Sequence, residues 1–408
     1  MKFRKDSGVS MENAYYSKKL DRYFSKRLDF LIYAHDGRGL GHASRSIAVG
    51  IALRRLFPNC KTLFLSGCKE TRALIGPAPL DWVKLPSYVT TLIDGRAQGR
   101  DGYTQFNKSV LTILRSDMLA SMVKIFQPRY VLVDHAPPGK RGELRLALEQ
   151  SEGSDTRWVL GLRGIIGNDS NVLSEDAIQI FKRYYHTLLW YGDSAVLGPD
   201  SLETVARHFG VVPVETGYVS RLREIRDLLP TDKGSLAGTV AVPWGTEKTW
   251  AFLENIHASL RAVGDRYGLW HIYVSRDRRD SVQERFKDLA FCSVHEVSEK
   301  YVTSLLNSKV SMLYAGYNSI SDVLAAQVPS VMLLRDVGDM EQERHLKRLI
   351  FHAKDAIQIL EESKTDAETL RAALEKQLHA PPFKNQGINI RGAEIAASTL
   401  GKGVSCEE

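Results

Sequence analysis

FLIYAHDGRGLGHASRSIAVGIALRRL, spanning Phe30–Leu56, holds the structural unit that recurs along the chain. The apolar and aromatic run Phe30–His35 predicts a buried β-strand. A glycine-rich loop follows this run, and the periodicity of His42–Leu56 predicts a helix. A near-continuous apolar strand followed by a helix is typical of a parallel sheet that is covered by helices on both faces.

The same unit recurs in two series. In the first series, strands are predicted at Lys61–Ser66, Tyr130–His135, Arg157–Leu162 and Leu188–Tyr191, and helices at Gln105–Phe126, Glu143–Gln150 and Glu175–His186. In the second series, strands are predicted at Thr239–Pro243, Leu269–Ser275, Phe291–Val297, Lys309–Tyr314 and Ser330–Leu334, and helices at Glu247–Tyr267, Ser281–Leu289, Ser319–Ala326, Glu341–His352, Ala367–Leu378 and Asn389–Leu400. The sequence therefore predicts the α/β class, with two Rossmann-like domains facing a central cleft.

A polar stretch, Ser220–Gly238, interrupts the alternation and contains Pro230 and Gly234. This composition predicts a linker between domains. We expect a first domain at residues 28–219, the linker at 220–238, and a second domain at 239–385.

The composition excludes several classes of protein. The chain has 408 residues, of which 43% are hydrophobic and 25% charged, which is not the composition of a disordered chain. Its net charge of +7 is spread along the sequence, so a nucleic-acid interface is not expected. The four cysteines lack metal-ligand spacing and predict neither a zinc site nor a disulfide framework. No signal peptide or apolar run of about 20 residues is visible, which predicts a cytoplasmic protein able to touch a membrane peripherally.

The loop after the first strand, DGRGLGH, is the first candidate site. Gly37, Gly39 and Gly41 would let the backbone approach a ligand, and the following helix N-terminus favours an anion. The loop matches neither a P-loop nor the dinucleotide fingerprint GxGxxG. His42, at the helix start, is a candidate general base. The alternatives are a purely structural turn and a histidine that caps or packs against the helix.

VDHAPPGKRGEL, Val133–Leu144, is the second candidate. Asp134 and His135 end a predicted strand and are candidates to orient or deprotonate an acceptor group. Neighbouring residues on a strand point to opposite faces, so both serve one site only if the strand has already ended. The alternative is a capping aspartate and a packed histidine.

AGYNSISDVLAAQVPSVMLL, Ala315–Leu334, is the third candidate. A loop after a strand leads into a helix whose predicted cap is Ser319 and whose N-terminus would bind phosphate. One turn later, Asp322 is placed to accept from ribose hydroxyls, although a carboxylate there also fits a helix start that merely complements the dipole. Glu341 and Gln342 begin the next predicted helix near the same edge; their alternative is a solvated helix start.

These segments resemble a known family. GYNSISDVLAAQVPSVMLLRDVGDMEQERHLKRL is similar to the carboxy-terminal donor-binding region of the family 28-like glycosyltransferases that include the peptidoglycan N-acetylglucosaminyltransferase, and DGRGLGHASRS resembles their glycine loop. The closest pattern is the branch of predicted glycosyltransferases that shares a GLGH loop, VDH-PG-RGEL, YYHTLLWYGD (Tyr184–Asp193), and GYNS with a later EQ. The resemblance covers about residues 28–350.

The resemblance implies the GT-B fold and transfer of a hexosyl or N-acetylhexosaminyl group from a nucleoside diphosphate sugar, such as a UDP-sugar, to a hydroxyl or amine. It implies a metal-independent, inverting reaction without a cofactor. The acceptor, a small molecule or a glycan or lipid-linked compound, would bind the first domain and the donor the second. Residues 386–408 would form a helix returning to the first domain. The implied donor-binding residues are Arg221 at the diphosphate, Gly316, Tyr317, Asn318 and Ser319 cradling it, Asp322 at the ribose, and Gln342 at the sugar hydroxyls, with Glu341 as a further donor-binding candidate.

One loop departs from the family pattern. Where the family has small residues after the first strand of the second domain, VPWGTEKTW (Val242–Trp250) has only Gly245, with Trp244 beside it as a stacking candidate for the donor. Two alternatives to transfer therefore stay open. One is a nucleotide-sugar hydrolase of the same fold, and the other is a non-catalytic protein that binds nucleotide sugars.

Overall fold

The computed structural model of the chain describes residues 27–35, 40–93, 96–100, 104–165, 172–242, 247–296, 298–335, 340–381, 384 and 387–404. In this part of the chain there are two parallel sheets, one of seven strands and one of six, and an antiparallel hairpin. Both sheets are covered by helices, and the predicted α/β class is confirmed.

The first half contains the seven-stranded sheet in the order β3-β2-β1-β6-β7-β8-β9 and the hairpin β4-β5. Its strands are β1 Phe30–Ala34, β2 Thr62–Ser66, β3 Asp81–Lys84, β4 Val89–Ile93, β5 Arg96–Arg100, β6 Tyr130–Asp134, β7 Arg157–Arg163, β8 Tyr185–Tyr191 and β9 Val214–Glu215. Its helices are α1 Gly41–Leu56, α2 Thr71–Ile75, α3 Lys108–Phe126, α4 Arg145–Gln150, α5 Glu175–Tyr184, α6 Ser194–Leu197, α7 Pro199–Phe209 and α8 Arg221–Ile225.

The second half contains the six-stranded sheet in the order β12-β11-β10-β13-β14-β15. Its strands are β10 Leu236–Val242, β11 Leu269–Val274, β12 Cys292–Glu296, β13 Ser308–Tyr314, β14 Ser330–Leu334 and β15 Ile357–Glu361. The remaining helices are α9 Glu247–Val263, α10 Arg279–Arg285, α11 Lys300–Asn307, α12 Tyr317–Ala326, α13 Met340–Ala353, α14 Ala367–Leu378 and α15 Gly392–Gly401.

Strand β1 is an interior strand of the seven-stranded sheet. All five of its residues are buried, because helices cover both faces of the sheet. It pairs in parallel with β2 and β6, and Tyr33 lies opposite Val133. This register brings the carboxyl ends of β1 and β6 to the same level. The residues that follow the two strands therefore meet at one edge of the sheet.

The apolar core of the first half continues into the second. Helices α12 and α13 contribute Ile320 and Leu346 to the same buried cluster as Val219 and Leu222. A separate cluster, which includes Ile256 and Met312, fills the other face of the second sheet. The halves are thus joined by buried contacts on the side where α1 and α12 approach each other.

Helix α15 follows the second half in sequence and packs against α1 of the first. Ala396 and Ala397 are fully buried in this contact. The helices approach so closely that a Cβ atom on Gly401 would overlap the ring of Phe57. The small residues of α15 permit this short distance between the two helices.

Several predicted element bounds are corrected. The predicted linker contains helix α8, because the Ser220 hydroxyl accepts from the backbone N–H of Arg223 and caps it, and β10 already begins at Leu236. The helix predicted from Glu143 begins at Arg145, after a 3-10 turn at Lys140–Gly142. Strands β3, β4, β5, β9 and β15 were not predicted from the sequence, because they are short or carry polar residues.

Candidate functional site

His42 and Asp134 meet at the carboxyl edge of the first sheet. His42 lies in the first turn of α1, and Asp134 is the last residue of β6. The imidazole Nδ1 is 2.5 Å from the Asp134 Oδ2 atom, although the residues are 92 positions apart in sequence. Asp134 is buried, whereas the His42 side chain keeps 20% of its surface exposed. The sequence predicted both residues as candidates, and the structure makes them a pair.

The contact fixes the tautomer of His42. A carboxylate oxygen and an unprotonated Nδ1 are both acceptors and would repel each other at this distance. The favourable arrangement places the proton on Nδ1, which donates to Asp134. Nε2 then carries the lone pair. A neutral imidazole held in this way is a general base with a carboxylate that orients it.

Arg45 binds the aspartate of this pair, and it was not among the residues predicted from the sequence. Its Nε and Nη2 atoms donate to the two oxygens of Asp134 at 3.3 and 3.1 Å. Arg45 lies one helical turn after His42, so both side chains point toward the end of β6. This i,i+3 spacing of a cation and a histidine is the signal by which the sequence could have revealed it.

The electrostatics of the pair favour a neutral base. The pKa of His42 is lowered to about 4, mainly by burial; Asp134 opposes this shift, whereas Arg45 and His135 add to it. Burial alone would raise the pKa of Asp134, but Arg45 and His42 hold it below its usual value. At neutral pH the histidine is therefore uncharged and the aspartate ionised.

His35 and His135 surround the pair. The ring of His42 lies 3.9 Å from that of His35 and 5.1 Å from that of His135, measured between centroids. β6 ends at Asp134, and His135 has a left-handed backbone with φ of 76°. The strand has therefore ended, as the sequence argument required for both residues to serve one site. His35, at the end of β1, was not predicted.

The N-terminus of α12 faces this cluster from the second half. A Cβ atom added to Gly41 would lie 2.9 Å from Nδ2 in the side chain of Asn318. The first turns of α1 and α12 are therefore adjacent. Gly316 is the N-cap and no side chain caps the helix, so the prediction that Ser319 caps it is wrong. Ser319 lies instead within the first turn. An uncapped helix start beside a histidine base combines an anion-favouring group with a proton acceptor.

Tyr317 opens α12 and links it to its surroundings. Its hydroxyl accepts a hydrogen bond of 2.9 Å from the backbone N–H of Val219. Its ring centroid is 5.4 Å from the guanidinium carbon of Arg45. The two halves are thus in direct contact at the candidate base.

Arg221 and Asp322 are buried next to the segment that joins the halves. Arg221 is 4% exposed, and its Nη1 donates to the carbonyl of Leu74 at 2.9 Å. Asp322 accepts from the hydroxyl of Ser220 at 2.8 Å, and burial raises its pKa despite the charge of Arg221. Their predicted contacts with a diphosphate and a ribose stay predictions.

Other predicted residues have no described side chain. Gly37, Gly39, Trp244 and Gly245 lie outside the described residues. Glu341 and Gln342 lie in the first turn of α13, where only the backbone is described.

A fully buried ion pair holds the loop after β6 in place. Glu143, in this loop, accepts from Nε and Nη2 of Arg115 at 2.6 and 2.7 Å. The hydroxyls of Tyr33 and Tyr88 donate to the same carboxylate. Since Tyr33 belongs to β1 and Arg115 to α3, the network fastens the loop that carries His135 to two elements of the first half.

An open cavity of about 460 Å³ lies between the segment after β2 and the segment after β12. It is lined by Lys69, Glu70, Arg72, Ala73, Ser298 and Glu299. The lining contains none of the predicted site residues. The lining carries side chains of both charges.

Replacing Arg221 with alanine is expected to lower the free energy of unfolding by about 1–3 kcal/mol, because the buried carbonyl of Leu74 loses its donor. Thermal unfolding of wild type and variant, with and without UDP, measures this. The rise in melting temperature caused by UDP should be smaller in the variant, because the family resemblance places Arg221 at the donor diphosphate. An equal rise in both proteins would limit Arg221 to its structural contact with Leu74.

Solved structures with the same arrangement of two α/β halves were compared with the chain. UDP-GlcNAc 2-epimerase from Methanocaldococcus jannaschii superposes with a TM-score of 0.58 and 11% identity over 92% of this chain and 100% of that one. The Neisseria meningitidis enzyme of the same name, bound to UDP-GlcNAc, gives 0.55 and 10% over 92% and 99%. The glycotransferase of kitacinnamycin gives 0.53 and 13% over 92% and 96%.

The chain has the GT-B fold. At these identities the likeness concerns the fold alone. No protein-family profile and no curated protein sequence matches the chain. Within the described residues, no helix is both long and apolar enough to cross a bilayer, and no group of three or more His, Cys, Asp or Glu side chains forms a metal-binding cluster.

Proposed function

We propose that this protein transfers a sugar from a nucleoside diphosphate sugar to a hydroxyl or amine acceptor, as the glycosyltransferases that its motifs resemble do. The observation that carries the proposal is the close approach of Asn318 to Gly41, where an added Cβ atom would lie 2.9 Å from the side-chain nitrogen of Asn318. It brings a general base on the first half next to an uncapped helix N-terminus on the second. Glycosyl transfer needs both, because an acceptor loses a proton while a diphosphate departs.

In the proposed reaction, Nε2 of His42 accepts the proton of the acceptor O–H or N–H as that atom attacks the anomeric carbon. Asp134 accepts from Nδ1 and stabilises the imidazolium that forms. The bond between the anomeric carbon and the diphosphate oxygen breaks, and its electron pair leaves with the diphosphate. Attack opposite to this bond inverts the configuration of the anomeric carbon.

The N-terminus of α12 is the proposed stabiliser of the leaving diphosphate. Backbone N–H groups in the first turn of a helix carry partial positive charge and bind phosphate oxygens. Gly316, Tyr317, Asn318 and Ser319 supply the start of this helix, and Cβ space at Gly316 is open. We propose that neither a metal nor a cofactor takes part, and that Arg221, Asp322, Trp244, Gly245, Glu341 and Gln342 complete the donor site.

The test is incubation of the purified full chain with UDP-GlcNAc, UDP-glucose and a GDP-sugar, with and without soluble and lipid extracts as acceptor sources. UDP-GlcNAc comes first, because the Neisseria neighbour was solved with it. Nucleotide release and the sugar products are followed by chromatography and NMR. We expect release that depends on an acceptor and yields a glycosylated product.

The other outcomes oppose the proposal in distinct ways. Release of nucleotide without acceptor would indicate a hydrolase. A changed sugar configuration with the nucleotide retained would indicate an epimerase. A rise in melting temperature with nucleoside diphosphates but no turnover of any donor would indicate a binding protein.

A further inference from the structure

Arg45 contacts groups of both halves of the molecule. It is 4% exposed and donates to both oxygens of Asp134, at the end of β6. On the other side, its guanidinium lies over the ring of Tyr317, the first residue of α12. Arg45 therefore connects the residue that orients the candidate base to the helix proposed to bind the donor.

We propose that Arg45 is a positioning residue that couples the general base to the second half: it holds Asp134 against Nδ1 of His42 only while Tyr317 covers its other face. The functional meaning of this coupling rests on the proposed transfer reaction. It would make the base competent when α12 is in place beside α1.

The geometry requires an arginine. Two nitrogens of one planar group meet two oxygens of one carboxylate, so the carboxylate plane is fixed as well as its distance. The same planar group presents a flat face to Tyr317. A lysine ammonium would keep the charge but make neither contact in this form.

Tyr317 is itself held in place, so it can act as a fixed support. Its hydroxyl accepts from the N–H of Val219, and the ring is 8% exposed. Asn318, the next residue, touches Gly41 in the same turn as His42. A movement of α12 away from α1 would uncover the guanidinium and admit water, which competes for both partners of the ion pair.

The charged and titratable groups that face His42 come from each neighbouring element. They are Arg45 on α1, Asp134 and His135 at the end of β6, and His35 at the end of β1. Tyr317 on α12 faces Arg45. Arg45 and His135 lower the pKa of His42, and Asp134 raises it. Removal of the Arg45 charge thus leaves the aspartate to act on the imidazole with less opposition.

The experiment is an NMR titration of histidine-labelled full chain, in which the His42 signals are identified by their loss in His42→Gln. In Arg45→Met we expect the pKa of His42 to rise from about 4 by about one unit or more. Tyr317→Leu removes the aromatic face and should shift it in the same direction by less. Tyr317→Phe keeps the ring and loses only the hydrogen bond from Val219, so it is the matched control, with a smaller shift than Tyr317→Leu expected.

An unchanged His42 pKa in Arg45→Met would overturn the positioning role. Equal behaviour of Tyr317→Leu and Tyr317→Phe would overturn the coupling to the second half. Should Arg45→Met fail to fold, Arg45→Lys replaces it: the charge stays, but the Nδ1 proton should exchange faster with water, and unchanged exchange would count against the proposal. The titration needs no turnover, so a shift without transfer activity refutes only the proposed function.

Discussion

Replacement of His42 with glutamine is expected to lower kcat/KM for sugar transfer by about 10²–10⁴-fold, the usual contribution of a general base. Glutamine can still donate to Asp134 but offers no basic nitrogen in place of Nε2. Asp134→Asn should cause a loss of similar order, because an amide can donate to Nδ1 and so move the proton to Nε2, the wrong tautomer. Steady-state kinetics, with the donor that the incubation test identifies, measures both losses.

His186→Gln is the matched control for this prediction. His186 is exposed at the start of β8, which is the sheet edge opposite to the candidate site. It should keep wild-type kinetics. Full activity in His42→Gln would remove the histidine from the mechanism. The dependence of wild-type kcat/KM on pH, on the acid side, gives an independent check. Because the base must be neutral and its pKa is lowered to about 4, kcat/KM should fall only as the pH approaches 4.

Replacement of Arg115 with methionine is expected to reduce the free energy of unfolding by about 3–5 kcal/mol. The guanidinium is fully buried and donates twice to Glu143, which is also fully buried. Methionine leaves the carboxylate in the interior without its counter-charge, while the hydroxyls of Tyr33 and Tyr88 still donate to it. Urea-induced unfolding measures the loss.

Two further variants separate this effect from a general cost of removing arginine. Arg183→Met breaks an ion pair with Glu152 that is exposed to solvent, and it should change stability little. The double variant Arg115→Met, Glu143→Gln removes both charges and should recover part of the loss. A double variant no more stable than the single one would show that the uncompensated charge is not the cause.

The fold was predictable because parallel strands buried on both faces leave a strong pattern. Runs such as Phe30–His35 and Tyr130–His135 are apolar or aromatic up to their last one or two residues, and the structure has strands there with nearly the same bounds. The edge strand β15 escaped prediction because its residues are mostly half-buried and include Gln358 and Glu361. A hydrophobicity pattern does not identify a strand whose residues are only partly buried.

The sequence predicts several residues of the candidate site but not the contacts between them. His42 and Asp134 each follow a strand pattern, which places them at a sheet edge. Their direct hydrogen bond depends on the register of β1 and β6, which sequence periodicity does not specify. Arg45 was missed because an arginine inside a helix usually points to solvent, whereas this one is buried between two halves of the molecule.

The packing of α15 on α1 has a consequence for how the chain folds as it is synthesised. The ribosome makes the whole second sheet before Gly392–Gly401 emerges. Until then α1 exposes the apolar surface that Ala396 and Ala397 later cover. The contact joins residues more than three hundred positions apart, so it is slow to form by chance. During translation, the apolar face of α1, the helix that carries His42, is therefore exposed to solvent. A ribosome-bound chaperone would recognise such a surface.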